Sequence, residues 1–384
     1  MTNRLTPDNI FFSLLKSGMY GTPIPAADLP EHIDWSSILT LAKKQTVIGL
    51  IIESVQFLPE SLHPSPSTYA KMQKFALRNI HTHMMLDQEA ARLAEFFDKH
   101  GIRGRLLKGQ GVARYYRVPQ MRQCGDIDYY VGQKAYQNAI RLCRKELMDK
   151  DSKWHETEKH FSFNLNHAEI ELHKIATQTY SPIHNRRLQR WIISELEESE
   201  GRTLRIGDTD VPLPSYEFDA IFIFYHAWRH YLVGGIGLRQ LCDWAMLFHS
   251  HADDIDMQKL TDNVRRFGMT KGWQLFASIA VRYLGVPADK IPLYEPSLAI
   301  PADKILDDII KGGNFGFYSE EYLRTKQRPS VGLKTGISKF RNIIGYYTSI
   351  FPLIPAEATF LLFHRLIFGS ISFTKRSLSR KHNN

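Results

Sequence analysis

The sequence predicts an α+β fold in which a small sheet domain is flanked by helical regions on both sides. Two patterns carry this expectation. Apolar residues recur at the helical period from residue 6 to about residue 99 and again after Pro214. Between Gly101 and Pro214 they alternate instead in short runs joined by turns. Length agrees: 384 residues, 43% of them apolar, can bury a sizeable core and suffice for two or three domains. The pattern changes divide the chain into an N-terminal helical region (1–100), a sheet-bearing core (101–214) and a C-terminal helical domain with a basic tail (215–384).

Taken in order, Thr6-Pro7-Asp8 followed by Ile10, Phe11, Leu14 and Leu15 is a helix start rather than a signal peptide. Ile38, Leu39, Leu41, Ala42 and Ile48 mark a second helical stretch. Met84, Met85, Leu86, Leu93, Phe96 and Phe97 mark a longer one, which Gly101 stops. Ile102 to Leu107 reads as a strand, Lys108-Gly109-Gln110-Gly111 as the turn after it, and Val112 to Tyr116 as the start of a helix. Gly125 to Val131 is a second strand and Lys134 to Met148 a helix. Phe161–Leu165 and Glu169–His173 alternate around Asn166-His167 as a hairpin, and Arg205 to Pro212 forms another around Gly207-Asp208. Beyond Pro214, Phe218, Ile221, Phe222, Tyr225, Leu238, Leu241, Ala245 and Leu247 are core positions of helices.

Lys plus Arg exceed Asp plus Glu by 49 to 40, a formal +9, which suits phosphate-bearing or acidic partners and equally describes a basic solvated surface. No compact Lys/Arg stripe is interleaved with stacking aromatics, which argues against a nucleic-acid partner. Cys124, Cys143 and Cys242 have no metal-ligand spacing and are too few for a disulfide framework, which fits a reducing cytoplasm. The stretch from Phe351 to Phe373 is the most membrane-like, but Pro352, Pro355, Glu357, His364 and Arg365 interrupt it, so no spanning helix is expected. Phe360 to Phe368 with Lys375, Arg376, Arg380 and Lys381 would allow contact with an anionic membrane surface, although such a helix more often packs on its own domain.

The chemistry concentrates in the middle third. On a strand, alternate side chains point the same way about 7 Å apart, so Asp126 and Asp128 share a face while Ile127 and Tyr129 take the other. Asp-x-Asp pairs on strand ends are often merely solvated. Here nothing basic lies between them along the strand, and oxygen-only ligands suit magnesium or manganese rather than zinc. Glu171 is the third candidate, because Ile170 and Leu172 turn the other way. Three carboxylates on neighbouring strands can bridge two metals about 3.5–4 Å apart, as in-line phosphoryl or nucleotidyl displacement requires. Backbone amides of the Lys108-Gly109 turn, Lys108 itself and Arg122 are candidates to meet phosphate oxygens.

Other signals are weaker. His155, His160 and His167 do not share a zinc-binding helical face and read as surface or turn residues, with His160 bordering the strand that pairs with Glu171's. Arg229, Arg239 and Asp243 either line a cleft or, more ordinarily, pack as an internal ion pair.

The order of pieces, strand, Gly-containing turn, helix, Asp-x-Asp strand, helix, and a strand with a third carboxylate, resembles the polymerase-β-type nucleotidyltransferase superfamily. Leu106-Leu107-Lys108-Gly109, Arg122-Gln123-Cys124-Gly125-Asp126-Ile127-Asp128 and Ile170-Glu171-Leu172-His173 resemble more closely a bacterial uncharacterised nucleotidyltransferase family within it. His226 and Leu238 to Trp244 extend the likeness, which covers roughly residues 100–250. The resemblance implies a small mixed sheet, metal binding by Asp126, Asp128 and Glu171, triphosphate contact near Lys108 and Gly109, and Arg122 and His173 lining the site. The implied activity is metal-dependent transfer of a nucleoside monophosphate from a nucleoside triphosphate to an acceptor, with release of pyrophosphate. One departure matters: Gln110 stands where most active members have a serine that helps hold a phosphate. The alternative is therefore an inactive protein that keeps the fold to bind a nucleotide or a partner.

Overall fold

The computed structural model describes residues 6–149, 151–166 and 168–314, with isolated positions at 348, 351, 355 and 359–362. His167 and nearly all of the apolar stretch and basic tail considered above lie outside the described residues. Among those described, no helix is long and apolar enough to cross a membrane.

Four helices lead the chain: α1 (Ile10–Tyr20), α2 (Trp35–Lys44), α3 (Ile48–Ser54) and α4 (Pro66–Lys99). The first begins after Asn9, whose side chain accepts the Phe11 N–H at 3.0 Å; an asparagine here satisfies an otherwise orphan helix donor. Ser65 and Pro66 open α4, and Gly101, at φ +66°, ends it as expected, with Ile102 N–H returning to Phe97 O at 2.9 Å. Of the apolar residues read along α4, Leu86, Leu93 and Phe97 are buried, whereas Met84 faces solvent.

The centre of the chain supplies β1 (Arg105–Leu107), α5 (Gly109–Ala113), β2 (Ile127–Tyr130), α6 (Gly132–Glu146), β3 (Trp154–Glu156), β4 (His160–Leu165) and β5 (Ala168–His173). Their five strands form a mixed sheet in the order β1-β2-β5-β4-β3, with β2 parallel to β5 and every other pair antiparallel. Two sequence expectations shift. The first strand starts at Arg105, not Ile102, because at Gly104 the backbone already presses on Tyr129, whose ring would stand 2.2 Å from a Cβ there. The following helix starts at Gly109, not Val112, so the glycine turn is itself the helix's first turn.

Then come α7 (Pro182–Ile193), the hairpin β6 (Arg202–Ile206) and β7 (Thr209–Leu213), and the helices α8 (Tyr216–Val233), α9 (Leu238–His251), α10 (Met257–Arg266), α11 (Thr270–Leu284) and α12 (Ala299–Gly312). The expected core positions in α8 and α9 are all buried.

Packing follows the alternation. Ile127, Tyr129, Phe161, Phe163, Ile170 and Leu172 form the apolar face of the sheet and share a cluster with Phe97. Burying each such side chain contributes about 1.5–3 kcal/mol, and a one-residue slip in register would turn all of them outward. A larger cluster joins helices from both ends of the chain, including Phe12, Leu15 and Ile51 with Phe224, Trp228, Trp244 and Trp273. The face of the sheet turned away from the apolar cluster carries the polar residues.

Candidate active site

Register builds the site. Because β2 and β5 run parallel with Ile127 opposite Ile170, Asp128 lies directly opposite Glu171 and Tyr130 opposite His173. On the other side of β5, His160 lies opposite His173 and Ser162 opposite Glu171. Asp126 precedes β2 by one residue and is exposed, while Asp128 is buried. One carboxylate oxygen from each of Asp126, Asp128 and Glu171 falls within 4.8 Å of the others. The sequence expectation that these three converge agrees with this geometry.

Their electrostatics divide sharply. Like charges placed opposite one another in a sheet are destabilising unless neutralised. The nearby Asp128 charge outweighs Lys108 and raises the pKa of Asp126. Burial would do the same to Asp128, but Lys108 and His173 outweigh it and hold that carboxyl well below the usual range. Lys108 Nζ stands 3.0 Å from Asp128 Oδ2, and His173 Nε2 2.9 Å from Oδ1. The same His173 nitrogen is 3.3 Å from Glu171 Oε2. Burial favours neutral His173, yet hydrogen bonds to Asp128 and Glu171 prevail and raise its pKa to about 9. Burial likewise works against ionised Glu171, and the hydrogen bond from His173 overcomes it. Nothing basic separates the two aspartates along β2, but in space Lys108 supplies the cation that one of them needs.

Lys108 reaches Asp128 from an unusual backbone position, φ +49° and ψ −139°, immediately before Gly109 at φ +44°. For a residue with a Cβ such a conformation costs on the order of 1–3 kcal/mol, and such outliers cluster at functional sites. A Cβ on Gly109 would meet only the Asp126 carbonyl, at 3.6 Å. The space over the turn is thus open beside the carboxylates. Helix α8 closes the far side: His226 Nε2 is 3.4 Å from Lys108 Nζ. Burial and then Lys108 hold the His226 pKa well below its ordinary value. Burial, Arg229 and Lys108 bring His230 down to about 4.

Other expected site residues have their side chains committed elsewhere. Arg122 is buried and donates through Nε and Nη2 to Asp243, at 3.0 and 2.6 Å, while Tyr116 Oη donates to the same carboxylate at 2.8 Å. Arg239 Nη1 donates to the Gln123 carbonyl at 2.7 Å. This is the internal ion-pair reading of Asp243, tying α9 to the loop before β2. Gln110 is fully buried, and its amide has no hydrogen-bond partner among the described residues.

His160, which the sequence places at the border of the strand that pairs with Glu171's but gives no site role, has its Nδ1 3.6 Å from Glu171 Oε2. Strand alternation would have found it once the hairpin register was fixed, since it pairs with His173. The Lys108–Asp128 contact follows from pairing rather than alternation: Leu107, the residue before Lys108, lies opposite Asp128.

The chain is thus a helix-flanked mixed sheet with three carboxylates converging on one face. The chain matches the family described as uncharacterised nucleotidyltransferase over residues 31–285, and it belongs to that family. No curated protein matches it. Among solved structures, the chain is similar to an antigenic nucleotidyltransferase-like protein from Paracoccidioides brasiliensis, at 14% identity over 47% of this chain and 88% of that one, with a TM-score of 0.30.

Proposed function

We propose that the protein is a metal-dependent nucleotidyltransferase that moves a nucleoside monophosphate from a nucleoside triphosphate to an acceptor and releases pyrophosphate. The observation that carries this reading is the placement of Asp128 opposite Glu171 with Asp126 at the mouth of the same face. The donor set fits a hard cation: all three groups offer carboxylate oxygen, and Asp126 and Asp128 repel one another without one. Asp126, Asp128 and Glu171 would hold magnesium or manganese. A bound ion there would lower the pKa of the attacking hydroxyl and neutralise the leaving pyrophosphate.

The chain's own groups have distinct tasks. Lys108, beside the open turn at Gly109, meets the triphosphate as well as Asp128. His173 holds Asp128 and Glu171 in register through a shared proton. The acceptor oxygen attacks the α-phosphorus as the bond to pyrophosphate breaks, and Glu171 would receive the acceptor's proton or help hold the cation. We place these steps in the core between 101 and 214, with α8 of the following helical domain over Lys108. Free Cys124, Cys143 and Cys242 suit a reducing cytoplasm.

One observation favours a second reading. Buried Gln110 occupies the place of a phosphate-holding serine and offers no hydroxyl, which suits a protein that binds a triphosphate without turning it over. Pyrophosphate release, measured across acceptor classes with magnesium and each triphosphate, decides between the two. Release abolished by Asp126→Asn supports transfer; tight binding with no release from any acceptor supports the second reading.

A further inference from the structure

We propose a second, chemically distinct cation site in which His160, His173 and Glu171 hold a zinc-class transition metal beside the carboxylate trio. The inference rests on the proposed function only in that Glu171 is shared; the site itself follows from geometry. Because His160 is opposite His173 on paired strands and Glu171 is two residues before His173, all three side chains emerge on one face of the sheet. Their donor atoms lie within 4.8 Å of one another.

The two separations from Glu171 are those of ligands around one small ion. Zinc bonds to histidine nitrogen and carboxylate oxygen are about 2.0–2.2 Å long and tetrahedral, which separates neighbouring donors by about 3.3–3.5 Å. Glu171 Oε2 is 3.3 Å from His173 Nε2 and 3.6 Å from His160 Nδ1. An ion between them would replace the proton that His173 Nε2 now shares with Glu171 and with Asp128 Oδ1, 2.9 Å away, and leave a fourth position for water or that aspartate oxygen. Two imidazoles and one carboxylate select a borderline metal, whereas Asp126 and Asp128, offering oxygen alone, select a hard one.

Both imidazoles approach the same oxygen, Oε2. Glu171 belongs to both groups, so the two sites are adjacent and differ in metal preference. His160 lies 23% exposed at the mouth, which gives the ion a way in; His155, one strand further out, is exposed and lies opposite Ser162, outside the group.

The test uses the full chain and metal alone. Equilibrium dialysis against zinc in excess magnesium, and the visible absorption of bound cobalt, are measured for wild type, His160→Gln, His160→Cys and Asp126→Asn. The proposal expects one tightly held ion in wild type and a tetrahedral cobalt spectrum. His160→Gln should weaken zinc binding on the order of 10–100-fold, His160→Cys should restore it because thiolate is itself a zinc ligand, and Asp126→Asn should leave it unchanged. Rescue by cysteine separates loss of a ligand from loss of fold. Zinc binding unaffected by His160→Gln, or lost equally in Asp126→Asn, overturns the second site. Magnesium–nucleotide binding is followed in parallel: its absence from a wild-type chain that still binds zinc through His160 would remove the transferase reading and leave this site standing.

Discussion

Asp128 and Glu171 face one another across a parallel strand pair, each on the polar side of a sheet whose opposite side packs the apolar cluster of Ile127, Tyr129, Phe161, Phe163, Ile170 and Leu172. Two acidic groups in that relation are held by a histidine that touches both and a lysine that touches one. The protein thus pairs Asp128 and Glu171 directly and leaves Asp126, whose pKa the Asp128 charge raises against the pull of Lys108, without an ion-pair contact of its own among the described residues. That asymmetry makes the three carboxylates separable by mutation.

Asp126→Asn removes an exposed, repelling charge, so unfolding free energy should change by less than about 0.5 kcal/mol or rise. Asp128→Asn instead strands His173 and Lys108 without their partner. Breaking a buried pair typically costs about 3–5 kcal/mol; Lys108 keeps some water, so a loss of about 2–4 kcal/mol is expected in urea unfolding. Both variants should lose transfer, but only Asp126→Asn does so with an intact fold. Equal stability of the two would contradict the assigned pairing.

At Lys108 two effects oppose each other. Lys108→Met keeps the strained backbone and removes the cation, whereas Lys108→Gly removes the cation and relieves the strain. The glycine variant should therefore unfold at higher denaturant than the methionine variant, by about 1–2 kcal/mol. Both should weaken triphosphate binding at least about tenfold, the loss of one charge-assisted contact. Comparison of their urea midpoints and of nucleotide titrations checks both statements.

Arg122 and Asp243 form a bidentate, water-excluded pair that also anchors Tyr116. Arg122→Met alone should destabilise by about 3–5 kcal/mol, because Asp243 is left buried and charged. The double variant Arg122→Met, Asp243→Leu should recover most of that loss. A single variant as stable as wild type in thermal melts would place Arg122 outside the structural framework and return it to the phosphates.

The stability of the helical cover should fall in mild acid. Burial, Arg229 and Lys108 lower the folded pKa of His230 to about 4, against about 6.5 in an unfolded chain. Between those values the unfolded chain binds the additional proton, so this contribution is complete above pH 6.5 and lost as pH falls toward 4. With the ring partly exposed, the loss is about 2 kcal/mol rather than the full value for such a shift. His226 acts in the same direction. Urea midpoints should therefore drop less between pH 7 and pH 4.5 in His230→Asn than in wild type; parallel curves would show that His230 is not held neutral.

Much of this was legible in the sequence because alternation is a strong local signal. Ile127 and Tyr129 against Asp126 and Asp128, and Ile170 and Leu172 against Glu171, announce which face is core and which is site, and the hairpin at Asn166 brings His160 to His173. Helix ends were read less well where tertiary contact decides them: Tyr129 pressing on Gly104 shortens the first strand, and the glycines after Lys108 curl directly into α5. What local pattern does not carry is partnership across elements. Lys108 with Asp128 and Arg122 with Asp243 are separated by 20 and 121 residues, and each side chain's role depends on which partner claims it. Arg122 looked like a phosphate ligand because its sequence neighbours are the site, but its charge is spent on α9.

Calorimetric titration of nucleoside triphosphate, with and without magnesium, into wild type and Asp126→Asn, whose folds should be equally stable, reads the carboxylate site without any acceptor. Binding in wild type should depend on magnesium and should be abolished in Asp126→Asn. Binding of equal strength in both proteins, or binding indifferent to magnesium, would contradict a nucleotide site built on Asp126, Asp128 and Glu171.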